Sequence, residues 1–121
     1  MTQRVLVVDD DRISRLIVRH MLGSLGYASD EAADVAGGRR FLDDEEYAVL
    51  ISDLQLPDGS GLDLFDVVRA TTPQPAFVLV TGTGERRALS DARVDNVEHY
   101  LTKPLSTTDL DRVLVQILGG E

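Results

Sequence analysis

Residues 5–11 read VLVVDDD: four aliphatic residues in a row, then three carboxylates, Asp9, Asp10 and Asp11. An uninterrupted apolar run this short suits a central parallel strand covered on both faces. Its end is harder to explain. Two like charges about 4 Å apart repel by about 4 kcal/mol at an effective dielectric of about 20, so the acids need solvent, protons or a cation.

Working outward, comparable runs recur at 4–8 (RVLVV), 47–52 (YAVLIS), 76–81 (AFVLVT) and 97–102 (VEHYLT), with YASDEAA (27–33) as a weaker second strand. Helical periods lie between them. Ile13, Leu16, Ile17, Met21 and Leu25 predict the face of a first helix capped by Asp11, with Gly23 and Gly26 loosening its end. Residues 34–44 predict a poorer helix containing Gly37 and Gly38, and Leu62, Phe65 and Val68 the face of a third. GERRALSDAR (84–93) offers only Ala88, Leu89 and Ala92 to bury and predicts a weakly held fourth. Leu110, Val113, Leu114 and Ile117 mark the last, with Ser106 and Asp109 in capping-box spacing. Five β-α alternations predict one parallel sheet with right-handed crossovers and helices on both faces.

The chain's 121 residues fit one domain over 1–121, with 119–121 as a tail or the start of a linker. There are no cysteines, which excludes disulfides and thiolate metal sites, and a net charge of −9 argues against direct nucleic-acid binding. No apolar run approaches the roughly 20 residues of a membrane span, and no basic-then-apolar leader opens the chain, so a cytoplasmic protein without a membrane partner is expected. Eleven of the twelve basic residues are arginine; Lys103 is the sole lysine.

Open α/β sheets bind ligands beyond the carboxyl ends of their strands. The predicted ends carry Asp9 and Asp10, Asp53, Thr81 and Lys103. Three carboxylates without histidine or cysteine specify a hard divalent cation, Mg²⁺ first, with Mn²⁺ as a substitute. Thr81 and Lys103 offer a hydrogen bond and a positive charge to a phosphoryl group sharing that ion. His20 and His99 have no second nitrogen ligand nearby and read as structural. The glycines of DGSG and TGTG match neither the dinucleotide fingerprint nor the P-loop and read as turns leaving room around Asp53 and Thr81. Arg86 and Arg87 read as a solvated helix face.

In order, VLVVDDD, ISDLQLPDGSGL (51–62), VLVTGTGE (78–85) and HYLTKPLS (99–106) resemble the receiver domain of two-component response regulators. The intervals are 43 residues from Asp10 to Asp53, 28 to Thr81 and 22 to Lys103. The resemblance implies a three-layer α/β/α flavodoxin-like doubly wound fold with a five-stranded parallel sheet, order 2-1-3-4-5, and five helices. It implies that Asp53 accepts a phosphoryl group from a phosphohistidine on a sensor histidine kinase or histidine phosphotransfer protein. Asp9, Asp10, Asp53 and the backbone carbonyl of Gln55 would hold Mg²⁺. Lys103 would pair with Asp53, Thr81 would turn toward the phosphoryl oxygens, Gly82 would contact them through its backbone, and Tyr100 would turn inward. Gln55 and Thr83 occupy positions that tune autodephosphorylation. Residues 84–118 would form the switching surface for a downstream effector or fused output domain, with a phosphorylation-dependent dimer as a further expectation. Such a domain catalyses only its own phosphorylation and dephosphorylation. The Lys103–Pro104 bond would be cis.

Asp58-Gly59-Ser60-Gly61 and Gly82 depart from the commonest family wording, and the last strand and helix lack the charge pattern of receivers that dimerise on DNA. Two other readings stand beside this one. A haloacid-dehalogenase-like Mg²⁺-dependent phosphohydrolase would use Asp9 as nucleophile and Asp11 as acid, but has Ile13 where Thr or Val is expected and leaves Asp53 idle. A phosphorylation-independent interaction module of the same fold would leave every polar strand end unexplained.

Overall fold

The computed structural model describes residues 3–82, 84, 85 and 89–119. In chain order the elements are β1 (Arg4–Val8), α1 (Arg12–Ser24), β2 (Ala28–Ala32), α2 (Val35–Asp44), β3 (Val49–Asp53), β4 (Gln55–Leu56), β5 (Gly59–Ser60), α3 (Gly61–Arg69), β6 (Ala76–Thr81), a 3₁₀ helix (Ala92–Asn96), β7 (His99–Thr102) and α4 (Thr107–Leu118). β4 and β5 form a small antiparallel hairpin that the sequence did not announce. The other five strands make one sheet in the order β2-β1-β3-β6-β7. All its neighbours are parallel. With the hairpin set aside this is the anticipated 2-1-3-4-5 order.

Strand alternation divides the core in two. Val5, Val7, Val49, Ile51, Val78, Val80 and Leu101 pack with Val18 and Leu22 of α1 and Leu110, Val113 and Leu114 of α4. On the other face Leu6, Val8, Leu50, Phe77 and Leu79 pack with residues of α2 and α3, among them Leu42, Leu62, Leu64, Phe65 and Val68. Runs such as VLVV and VLIS are therefore buried on both sides, as their lack of polar alternation requires.

Helix starts follow side-chain chemistry. Asp11 caps α1 through Ile13 N–H at 3.2 Å, and Asp34 caps α2 through Gly37 N–H at 2.7 Å. Ser60 and Asp63 form a complete capping box on α3. Ser106 accepts from Asp109 N–H at 3.1 Å on α4, the forward half of the anticipated box. Asp58, at the hairpin turn, accepts from Val35 N–H and Ala36 N–H at 2.8 and 3.0 Å, tying β4–β5 to the start of α2.

Two expectations are corrected. The buried face of α1 runs through Val18 and Leu22; Ile13, Leu16 and Ile17 are 61, 62 and 49% exposed. The apolar arc of this helix is broad, and its periodicity left open which edge meets the sheet. The fourth helix expected over 84–93 is not continuous: residues 89–91 are not helical, and a 3₁₀ helix begins at Ala92, capped by Asp91 through Arg93 N–H at 2.9 Å. The described residues thus contain four complete α-helices, with Glu85 helical just before the positions that lie outside them. Ala88, Arg86 and Arg87 lie outside the described residues, as do the tail positions 120 and 121.

Candidate functional site

Parallel register brings the strand ends to one rim. Val8 sits beside both Ala32 and Ser52, Asp53 beside Val80, and Thr81 beside Thr102. Sheet order reverses between β1 and β3, so Asp9 and Asp10 flank the resulting crevice on one side and Asp53 on the other.

Asp9 is buried, Asp53 half-buried and Asp10 exposed, and one carboxylate oxygen from each lies within 4.8 Å of the others. Asp9 Oδ1 accepts from Asp11 N–H at 2.9 Å, and Asp53 Oδ1 from Leu54 N–H at 3.1 Å. Their other oxygens meet one ammonium: Lys103 Nζ is 3.1 Å from Asp53 Oδ2 and 3.6 Å from Asp9 Oδ2. Backbone pairing puts it there, because Lys103 N–H donates to the Thr81 carbonyl at 2.9 Å, extending the β6–β7 ladder by one residue. The Lys103–Pro104 bond is cis, as the resemblance implied, and Thr72–Pro73 is cis as well.

Burial and charge pull these groups in different directions. Burial raises the Asp53 carboxyl above its ordinary 3.8, against the opposing pull of Lys103. For Lys103 burial works downward, but the hydrogen bond and charge of Asp53, with Asp9 behind it, leave the ammonium held above 10.5. Three acids around one ammonium leave a net negative cluster that a divalent cation would neutralise. The donors are all carboxylate oxygens, which fits Mg²⁺ or Mn²⁺.

The remaining predicted residues divide. Thr81 is buried at the end of β6. With Gly82, Val94 and Tyr100 it lines a cavity of about 530 Å³, distinct from the apolar cavity of about 390 Å³ beside Asp9, Asp53 and Lys103. The Tyr100 hydroxyl donates to the Val94 carbonyl. Gly82 N–H donates to Glu85 Oε1 at 2.6 Å. Gln55 is exposed and paired with Ser60 in the hairpin. Thr83 lies outside the described residues. His20 is exposed on α1 and His99 begins β7, neither at the rim. Gly61 has the steric role read for the DGSG turn: a Cβ there would stand 2.3 Å from the Asp53 carbonyl oxygen and 2.8 Å from Ser52 Oγ.

Sequence reasoning missed two arginines. Arg93 bonds Asp91, Asp63 and Asp66, fastening the 3₁₀ segment to α3. Arg15 reaches the Asp9 carbonyl. Its place on α1 beside the acid run was the available signal.

A family model for the response regulator receiver domain matches residues 5–115. The chain is 32% identical over 111 residues to the response regulator protein PilR of Pseudomonas aeruginosa, covering 92% of this chain and 24% of PilR. It is 30% identical over 120 residues to the chemotaxis protein CheY1 of Helicobacter pylori, covering 96% of this chain and 97% of CheY1. It thus spans about a quarter of one relative and nearly all of another. Among solved structures, a CheY-like receiver domain from Methylobacillus flagellatus superposes with a TM-score of 0.86 at 27% identity, covering 97% of this chain and 99% of that one. With the sheet order, the acid rim and these likenesses in agreement, the chain belongs to the response regulator receiver domain family.

Proposed function

We propose that the chain, as one receiver unit over 1–121, accepts a phosphoryl group on Asp53 from a phosphohistidine donor in a Mg²⁺-dependent step. The observation that carries this reading is Lys103 Nζ placed between Asp53 Oδ2 and Asp9 Oδ2, within a cluster of three carboxylates.

An Asp53 oxygen attacks phosphorus, the P–N bond of the donor breaks, and its electron pair returns to the imidazole nitrogen. The product is an acyl phosphate on Asp53. Asp9, Asp10, Asp53 and the Gln55 carbonyl would hold Mg²⁺, which would supply charge neutralisation for the phosphoryl oxygens. Lys103 exchanges its Asp53 contact for a phosphoryl oxygen. Gly82 N–H, now on Glu85, donates a hydrogen bond to a phosphoryl oxygen once that carboxylate leaves. Thr81 turns toward the same oxygens, and Tyr100 leaves the Val94 carbonyl for the cavity it shares with Thr81. Gln55 and Thr83 set the lifetime of the product. A phosphorylated Asp53 gains charge and acceptor oxygens, so these contacts differ between two states.

The donor is a sensor histidine kinase or phosphotransfer protein. The output is an effector or fused domain reading residues 84–118, with a phosphorylation-dependent dimer as one form, in a cytoplasmic setting. Among the described residues no helix is long and apolar enough to cross a membrane.

Intact-mass measurement after incubation with Mg²⁺ and acetyl phosphate tests the reading. The wild type should gain one labile phosphoryl group, and Asp53→Asn, or wild type in excess chelator, should gain none. Phosphate-ester turnover surviving Asp53→Asn and lost in Asp9→Asn would replace it with the phosphohydrolase; no adduct and no metal binding would leave the interaction module.

A further inference from the structure

The acid rim lies just past the end of a strand ladder. The β1–β3 ladder ends at Val8, and beyond it Asp9 N–H donates to the Ala32 carbonyl at 3.1 Å. The Asp9 carbonyl accepts from Arg15 Nη1 at 2.7 Å. Arg15 is itself held: its Nε donates to Glu31 Oε1 at 2.6 Å, and its side chain is only 14% exposed. Glu31 also pairs with Arg19, whose Nε and Nη2 donate to Ser29 Oγ and the Ser29 carbonyl at 3.1 and 3.0 Å. A chain of contacts therefore runs from edge strand β2 through one guanidinium to the peptide joining Asp9 to Asp10.

We propose that Arg15 is a positioning residue for the acid pair. By holding the Asp9 carbonyl it fixes the plane of the 9–10 peptide, and so the directions in which both carboxylates leave the backbone. The inference rests on the Mg²⁺ reading above and adds a residue to it. Groups that orient metal ligands through hydrogen bonds commonly matter nearly as much as the ligands do.

Electrostatics makes the claim sharp, because position and charge pull in opposite directions. A guanidinium beside a cation site repels the cation, so if charge alone mattered, removing Arg15 would tighten Mg²⁺ binding. If Arg15 only fastened α1 to β2, its removal would lower stability and leave the affinity of the folded protein unchanged. A positioning role alone requires weaker binding.

Calorimetric titration with MgCl₂ separates the three, using full-length variants confirmed as folded by urea denaturation. Arg15→Met, which keeps an unbranched stem and has no donor, should weaken Mg²⁺ about tenfold. Glu31→Gln keeps the guanidinium charge but exchanges its ionic anchor for a weaker neutral acceptor, and should weaken binding by a smaller factor. Arg12→Met removes an equal charge from the exposed start of α1 and should bind as tightly as wild type or slightly tighter. Equal or tighter binding by folded Arg15→Met overturns the proposal. If that variant does not fold, unchanged affinity in Glu31→Gln overturns it instead. A wild type that binds no Mg²⁺ overturns the parent reading, and this one with it.

Discussion

Asp53 answers to two demands at once. As the proposed phosphoryl acceptor it must be buried enough to exclude competing water, and charged enough to attack phosphorus. Burial raises its carboxyl above 3.8 and Lys103 pulls it back without cancelling the shift. A raised acid loses its charge at a higher pH than an exposed aspartate, so phosphorylation should fall as pH drops through that raised value. Carbon-13 NMR of the Asp53 carboxyl in metal-free protein should find the midpoint above 3.8, Mg²⁺ should lower it, and Lys103→Met should raise it further. A midpoint unmoved by Lys103→Met would contradict the pairing. Sequence pointed to Asp53 because a carboxylate closing an apolar run needs compensation. It could not show that Glu85 holds the Gly82 amide or that Arg15 holds the Asp9 carbonyl: the partners are only three and six residues apart, but how the chain turns between them decides whether the side chain reaches, and spacing does not fix that turn.

Among the elements, α1 departs most clearly from its periodic pattern. Its apolar residues span an arc too wide for one packing face: of the five that spacing selects, Met21 and Leu25 pack against the core while Ile13, Leu16 and Ile17 stay exposed. The sheet receives Val18 and Leu22 as well, while Arg15 and Arg19 bond Glu31 and Ser29 of β2. The resulting stability pattern is testable by urea denaturation. Leu16→Lys should change stability by no more than about 0.5 kcal/mol. Leu22→Ala, at a fully buried site, should cost about 2–5 kcal/mol. The reverse order would restore the face that periodicity selects. The region after β6 departs for a different reason. Asp91 captures Arg93, and Arg93 is shared with Asp63 and Asp66 on α3, so the chain restarts as a 3₁₀ helix where propensity suggested one continuous helix.

Over the whole molecule, acid sensitivity follows from carboxylates held as anions. Arg15 and then Arg19 lower Glu31 from 4.5. The Val35 and Ala36 amides lower Asp58 from 3.8, the Ser60 amide and then Arg93 lower Asp63, and Arg93 lowers Asp91. Depressed acids contribute stability that is present above their unfolded values and lost as pH falls through the folded ones. Asp53, shifted upward, acts in the opposite sense: its ionised form costs stability as pH rises through its folded value. Because the depressed group is larger, the urea midpoint should fall as pH is lowered below about 4, and Glu31→Gln should flatten that fall. A midpoint that rises between pH values of about 4 and 3 would contradict this balance.

Apart from the β4–β5 hairpin and the 3₁₀ segment after β6, the order of strands and helices, the double burial of the central strands and the arrival of Asp9, Asp10, Asp53, Thr81 and Lys103 at strand ends were determined by the sequence alone. Run length, apolar continuity and the residue closing each run are local properties, and burial imposes them locally. Tertiary structure decided which edge of α1 meets the sheet, that Lys103 lies between Asp53 and Asp9, and that Arg15 and Arg93 each bind groups on other elements. Those outcomes depend on register between strands and on the path of crossovers, which bring together residues dozens of positions apart. Periodicity along one segment carries no information about the distance to another.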